Sequence, residues 1–203
     1  MADSRVDRDT IVYSAVVSAA EKAGQWIVAL CLLEEMEAVR LARDVIIFSA
    51  SVSACGKAGQ WQAALRILDD MTSVTVAKNI VTFNAAITAC AVAGQWLAAL
   101  DLFDSMALAR IQRDSITCNA CISACEKGGR WEVALSLFDM AKEVRQDTVT
   151  FSSVISACAK GWQWLPALKL LHEMTTVRVK SNSIAYNAAI SACEKAEQWR
   201  WSL

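Results

Sequence analysis

Asn79-Ile80-Val81-Thr82-Phe83-Asn84-Ala85-Ala86-Ile87-Thr88-Ala89-Cys90-Ala91-Val92-Ala93-Gly94-Gln95-Trp96-Leu97-Ala98-Ala99-Leu100-Asp101-Leu102-Phe103-Asp104-Ser105-Met106 is the stretch that decides the fold. It opens on Asn79, a strong helix N-cap. About a dozen apolar residues follow and end at Gly94, where a left-handed turn can close the helix. A second helix starts at Trp96. Trp96, Ala99, Leu100, Phe103 and Met106 fall at offsets 0, 3, 4, 7 and 10, one helical face. The run from Ala85 to Leu100 is almost membrane-like in hydropathy. Gly94-Gln95 interrupts it, so it predicts a hairpin of two helices and not a transmembrane span.

The same hairpin recurs along the chain. Tryptophans stand at 26, 61, 96, 131, 164 and 199, at intervals of 35, 35, 35, 33 and 35. A fixed period of this length marks a tandem array of supersecondary units. Boundary residues Asp9, Asp44, Asn79, Asp114, Asp147 and Asn182 cap each first helix, and Gly24, Gly59, Gly94 and Gly129 close the first four. Trp162 and Glu197 take that place in the last two copies, where less regular turns are expected. Pro166 sits in the first turn of a second helix, which tolerates it. The fourth copy is two residues short, and Met140 comes one residue early, so the loss falls at the end of its second helix.

Neither helix of a unit can bury its apolar stripe alone, whereas stacked copies share one core. The reading is an all-α solenoid of antiparallel helix-turn-helix hairpins. A disordered tail spans 1–8 and the array 9–203, with repeats at about 10–44, 45–79, 80–114, 115–147, 148–182 and a partial 183–203. That last copy stops at the start of its second helix, as expected of a piece of a longer array or of a frayed end.

Net charge is −1 and the pI is about 5.9. This excludes a generally basic nucleic-acid binder but not a local basic stripe. The hydrophobic fraction of 55% goes into stacking faces. Five of the eight cysteines (Cys55, Cys90, Cys125, Cys158, Cys193) share one register of the first helix. Packed helices lie roughly 8–10 Å apart, too far for disulfides, which need Cα atoms within about 7 Å. Buried free thiols in a reducing compartment are expected. Cys118 and Cys121, followed by Cys125, lie within one helix with no histidine or second CxxC nearby, which favours packing over zinc. His172 has no nucleophile beside it. No metal, cofactor or catalytic residue is expected. Met1-Ala2-Asp3-Ser4-Arg5-Val6-Asp7-Arg8 carries acids and does not read as a targeting leader.

Three registers ask for more than packing. Five residues after each boundary stands Ser14, Ser49, Asn84, Asn119, Ser152 or Asn187. All are small and polar in a helix of Ala, Ile and Val, and both residue types are indifferent helix formers. They are either the polar edge of the apolar stripe or a hydrogen-bonding site offered once per repeat. Two residues after the boundary stand the β-branched Ile11, Ile46, Val81, Ile116, Val149 and Ile184, which pack in the core or stack on something flat. Thirteen residues after the boundary stand Lys22, Lys57, Lys127, Lys160 and Lys195, with Val92 in the third copy. A lysine there favours the helix dipole, and repetition makes a positive stripe suited to a polyanion. A hairpin stack advances about 9–10 Å per unit, a step at which helical repeats can read one base of single-stranded RNA each.

The pattern Asp-x-Val-Thr-Phe-Asn-Ala-x-Ile-Ser-Ala-Cys-x-Lys-x-Gly-x-Trp-x-x-Ala-Leu-x-Leu-x-x-x-Met, over about residues 9–203, closely resembles the pentatricopeptide repeat family. The tetratricopeptide pattern fits worse, because its Leu-Gly…Tyr signature is absent. The resemblance implies a right-handed superhelix that binds single-stranded RNA with one base per repeat. Base-reading pairs would be Ser14 with Asp44, Ser49 with Asn79, Asn84 with Asp114, Asn119 with Asp147, and Ser152 with Asn182, with Asn187 left without a partner. By the family's code they imply GAUUA. The β-branched row would clamp bases and the lysines would face phosphates. A chloroplast or mitochondrial adaptor in transcript processing, editing, stability or translation is implied, with no enzymatic activity. Single-stranded RNA is the expected partner, with protein effectors of RNA processing as further ones. No membrane association and a monomeric state are expected.

The chain departs from the family at the site before the boundary, usually Pro and here Arg8, Arg43, Lys78, Arg113, Gln146 or Ser181. The shortened fourth repeat puts the geometry at Asp147 in question. The competing reading is a solenoid holding a peptide in the same groove, which would not require the Ser/Asn register. A fused cytidine deaminase would need His-x-Glu…Cys-x-x-Cys, absent from these residues. Five phosphate contacts would give a salt slope of about −0.7 × 5, roughly −3.5.

Overall fold

The computed structural model describes residues 10–141 and 147–196. The expected tail 1–8, the cap Asp9, Gln146, Glu197 and Trp199 lie outside the described residues. Among these there are eleven helices and no strand: α1 Thr10–Lys22, α2 Trp26–Ala38, α3 Val45–Lys57, α4 Trp61–Ser73, α5 Ile80–Val92, α6 Trp96–Leu108, α7 Ser115–Lys127, α8 Trp131–Met140, α9 Thr148–Lys160, α10 Trp164–Thr176 and α11 Ser183–Lys195. The chain is an all-α helical repeat. It divides into two compact units, Met1–Val92 and Ala93–Leu203.

The helix starts follow from local chemistry. Asp44, Asn79, Asp114, Asp147 and Asn182 each accept a hydrogen bond from the N–H three residues on, at 2.8–2.9 Å. This satisfies a donor that the helix itself leaves unpaired. At Asp114 and Asp147 the threonine three residues later returns the bond, completing a capping box. Among the described residues α2, α4, α6, α8 and α10 each begin at a tryptophan.

The turns inside the hairpins close alike. Gly24, Gly59, Gly94 and Gly129 have φ between 66° and 69°, and Trp162 has φ 60°. The turn at Trp162 is therefore as regular as the others, against the expectation from its side chain. Gln163 N–H bonds Cys158 O at 2.9 Å, as Gln60 does with Cys55 and Arg130 with Cys125. That backbone closure holds the left-handed residue whatever its side chain. The turns between repeats close the same way on non-glycine residues: Arg40, Thr75, Arg110 and Arg178 have φ of 56–58°.

In the first unit α1, α3 and α5 pack side by side, and α2 and α4 each pack against the first helices on both sides. In the second unit α7, α9 and α11 form the corresponding row, with α6, α8 and α10 packed on it. Phe48, Ile47, Ile87 and Met71 fill the first core, and Phe138, Phe151, Ile122 and Met174 the second. Phe138 meets Phe151 edge-on at 4.9 Å. The second-helix stripe is wider than the sequence pattern suggested. Ile67, Leu102, Leu137 and Leu170, six residues after Trp61, Trp96, Trp131 and Trp164, are buried, while Leu32 and the leucines at offset four are half-buried. The reason is that α2, α4, α8 and α10 each face two first helices.

The two-residue deletion falls where expected: α8 has 10 residues where the other second helices have 13. Seven of the eight cysteines are buried, Cys31 is exposed, and all are free thiols. Burial pushes Cys55, Cys90, Cys125 and Cys158 up to about 11. Among the described residues no group of three or more His, Cys, Asp or Glu is placed to hold a metal ion. No helix there is long and apolar enough to cross a membrane.

Arg43 and Arg113 stand where the resemblance would place proline. The Arg113 guanidinium lies 3.7 Å from the Phe103 ring centre and donates twice to the Phe103 carbonyl, at 2.8 and 3.1 Å. Arg43 is 11% exposed, donates to Glu37 at 3.0 Å and lies over Phe48. Both tie the end of a second helix to the turn that follows, which offsets the loss of proline's stiffness.

Candidate nucleic-acid interface

Each first helix presents the three notable registers along its length. The β-branched row does not pack in the core. Ile11, Ile46, Val81, Ile116, Val149 and Ile184 are 54–73% exposed. Their neighbours one residue on are buried in most repeats, among them Ile47, Thr82, Thr117 and Thr150. A single large exposed apolar residue needs no explanation. Six at one register, each on the first turn of a first helix, leave the core-packing alternative without support.

The small polar row lies beside it. Ser14, Ser49, Asn84 and Asn119 are half-buried, Ser152 is 5% exposed and Asn187 is exposed. Within the second unit two of the pairs named above are in direct contact. Asn119 Nδ2 donates to Asp147 Oδ1 at 3.4 Å, and the Thr150 hydroxyl stands 2.6 Å from Asn119 Oδ1 and 3.0 Å from Asp147 Oδ1. Ser152 Oγ lies 3.0 Å from Asn182 Oδ1 and 2.6 Å from Thr148 O. These contacts join residues 28 and 30 positions apart, which the repeat brings together. Ser49 Oγ donates to Val45 O, and Asp44 and Asn79 cap α3 and α5. Asn84 lies on α5 in the first unit, and Asp114 caps α7 in the second.

Asp147 is held ionised. Partial burial raises its pKa, but hydrogen bonds from Thr150 N–H, the Thr150 hydroxyl, Asn119 and Val149 N–H outweigh burial and bring it below the ordinary carboxylate value. The shortened fourth repeat therefore keeps its boundary carboxylate in the conformation found at Asp114: φ is −118° here and −113° there, with the same capping box.

Thr150 was not singled out by sequence. Its signal was the threonine three residues after the boundary at 82, 117 and 150, the place of the reciprocal cap.

The lysine row is exposed in all five copies, but not all its members are unengaged. Lys57 Nζ lies 3.2 Å from Glu21 Oε1 and 3.1 Å from Glu21 O. Lys160 Nζ lies 3.1 Å from Glu126 Oε1. Ser53 and Ser156 donate to the same two carboxylate oxygens, at 2.8 and 2.7 Å. Sequence reading missed both glutamates, because a carboxylate and a lysine 36 or 34 residues apart signal nothing until the period is used to pair them.

Trp26, Trp61, Trp96, Trp131 and Trp164 are half-buried, and Trp96 and Trp131 sit at repeat junctions. A Cβ on Gly161 would lie 2.2 Å from Trp131 Cδ1, and one on Gly128 2.4 Å from Trp96 Cδ1. Arg130 covers the Trp96 ring at 4.7 Å. These rings pack one hairpin against the next first helix.

Three family descriptions match the chain: pentatricopeptide repeat domain at residues 31–94 and 139–196, PPR repeat family at 78–127, and PPR repeat at 11–40 and 116–145. A search of curated proteins finds no match. Among solved structures the chain is similar to the pentatricopeptide repeat protein PPR10 in complex with an 18-nucleotide psaJ RNA element. Identity is 24%, TM-score 0.76, with 96% of this chain and 29% of that one covered. Unbound PPR10 from maize gives 22%, 0.75, 96% and 28%. The PPR domain of Arabidopsis thaliana protein-only RNase P 1, in complex with tRNA, gives 15%, 0.76, 95% and 98%. The chain thus spans under a third of the length of PPR10. These likenesses show the fold.

Proposed function

The chain belongs to the pentatricopeptide repeat family, and from that premise we propose that it is a sequence-selective adaptor for single-stranded RNA. The observation that carries the reading is the pair of side-chain couples Asn119–Asp147 and Ser152–Asn182, set beside an exposed β-branched residue in each repeat. An amide next to a carboxylate offers a donor and an acceptor side by side. That complements a uracil edge, where a carbonyl oxygen adjoins N3–H. A hydroxyl next to an amide suits adenine. The β-branched side chains, stiff at χ1, hold the base faces. Relatives whose structures contain RNA or tRNA support the class of ligand.

In this reading the array prefers 5′-GAUUA, performs no chemistry itself, and serves transcript processing, editing, stability or translation in a chloroplast or mitochondrion. Protein effectors supply the downstream step. Fluorescence anisotropy on short single-stranded RNAs tests it. GAUUA is expected to bind more tightly than the same RNA with both uracils replaced by cytosine. Asn119→Ser with Asp147→Asn is expected to move the fourth preference from U to A. Equal binding to every RNA would refute the base-reading pairs. A folded protein that ignores RNA would point to a peptide in the groove.

A further inference from the structure

Two of the five first-helix lysines come with a built-in competitor. In the first unit Glu21 Oε1 accepts both Ser53 Oγ at 2.8 Å and Lys57 Nζ at 3.2 Å. In the second unit Glu126 Oε1 accepts Ser156 Oγ at 2.7 Å, and Lys160 Nζ lies 3.1 Å from the same oxygen. The arrangement is the same to within 0.1 Å. In both, a glutamate at the end of one first helix reaches across to a serine and a lysine of the next repeat. In other repeats the same register holds Gly56, Ala91 or Ala159, which carry no carboxylate.

We propose that Glu21 and Glu126 attenuate the grip on the RNA backbone, by holding the ammonium groups of Lys57 and Lys160 that would otherwise pair with phosphate. This rests on the RNA-binding reading above. A phosphate approaching either lysine must displace a carboxylate already 3.1–3.2 Å away and meets its negative charge. The serine fixes that carboxylate in place, so it does not swing aside as a lone surface glutamate would. The backbone is then held unevenly, and total affinity falls below what five lysines suggest. Binding is left to depend more on base contacts, which carry the sequence information, than on phosphate contacts, which do not.

The test is the salt dependence of binding to a single-stranded RNA of fixed sequence, GAUUA flanked by uridines, for the whole chain. Glu21→Gln and Glu126→Gln keep the oxygen that accepts the serine and remove the charge. Each released lysine is expected to steepen the slope of log K against log salt by about 0.7. That is roughly a fivefold gain in affinity at 0.1 M salt and about 25-fold for both together, with the curves converging near 1 M. Adding Lys57→Gln to Glu21→Gln is expected to cancel the gain, and Lys160→Gln to do the same for Glu126→Gln. Glu34→Gln, on α2, controls for net charge and is expected to leave the slope alone.

Unchanged slopes in both glutamate variants of an RNA-binding protein would overturn this inference and leave the function standing. An equal gain from Glu34→Gln would overturn it too, as a general charge effect. If no variant and no wild-type protein binds RNA, the function falls and the inference with it. The two junctions are independent, so misfolding of one variant leaves the other to decide.

Discussion

Replacing Asp147 separates folding from base reading, because the protein already contains the needed control. Asp147 Oδ1 accepts from Thr150 N at 2.9 Å, from the Thr150 hydroxyl at 3.0 Å and from Asn119 Nδ2 at 3.4 Å. Asp147→Ala removes the cap and should destabilise by about 1–2 kcal/mol. For a chain of this size that lowers the Tm by roughly 2–8 °C. Asp147→Asn keeps an oxygen for the cap: Asn79 and Asn182 bond Thr82 N and Ala185 N at the same 2.9 Å. Its stability should stay within about 0.5 kcal/mol of wild type. What the asparagine loses is the charge, and with it the stronger acceptor for a base N–H. The preference for U over C at the fourth base should then fall by about 1–3 kcal/mol, roughly 5- to 150-fold. The ratio of affinities is the quantity to read, since removing a negative charge strengthens binding to any RNA. Thermal melting and anisotropy on the paired RNAs supply the two measurements. If Asp147→Asn melts as early as Asp147→Ala, the charge itself holds the fold. If it melts normally and keeps its U preference, Asp147 does not read that base.

Other outcomes follow from the same geometry. Acid should loosen the α9 cap: the pKa of Asp147 is lower folded than unfolded, so its contribution is full above the unfolded value near 4 and is lost as pH falls through the lower folded value. Hydrogen exchange at the Thr150 amide between pH 5 and 2 would report it, and Asp147→Asn should abolish that dependence. Thr75, β-branched and exposed at φ 57°, stores strain, so Thr75→Gly should stabilise by about 0.5–1 kcal/mol, read as a denaturation midpoint shift. Arg113→Ala should destabilise by about 1–2 kcal/mol through loss of the Phe103 stacking and carbonyl bonds, whereas an unchanged midpoint would mean the turn holds without them. In the native protein iodoacetamide at pH 8 should modify Cys31 first. A pKa of about 11 leaves Cys55, Cys90, Cys125 and Cys158 only about a thousandth ionised at that pH, and mass spectrometry would show any early labelling there.

The residues alone specified most of what acts within a few positions along the chain. Asp or Asn before Ile/Val-Thr-Phe specifies where a first helix starts, because the cap reaches only three residues ahead. The offsets from tryptophan to methionine specify a second helix, because they lie on one turn-to-turn face. The tryptophan period fixed the register, down to the deletion that shortens α8. Where the residues alone left alternatives open, contacts formed on folding decided between them. Ile46 and Val149 could have faced a core or a ligand until the stacking of first helices put their neighbours inside and left them out. Trp162 could occupy a glycine's turn because the Gln163–Cys158 backbone bond sets that conformation. The lysines formed an even positive stripe on paper. Tertiary structure brought Glu21 to Lys57 and Glu126 to Lys160, because electrostatic contacts depend on distance in space, and 36 and 34 residues of sequence fold to about 3 Å.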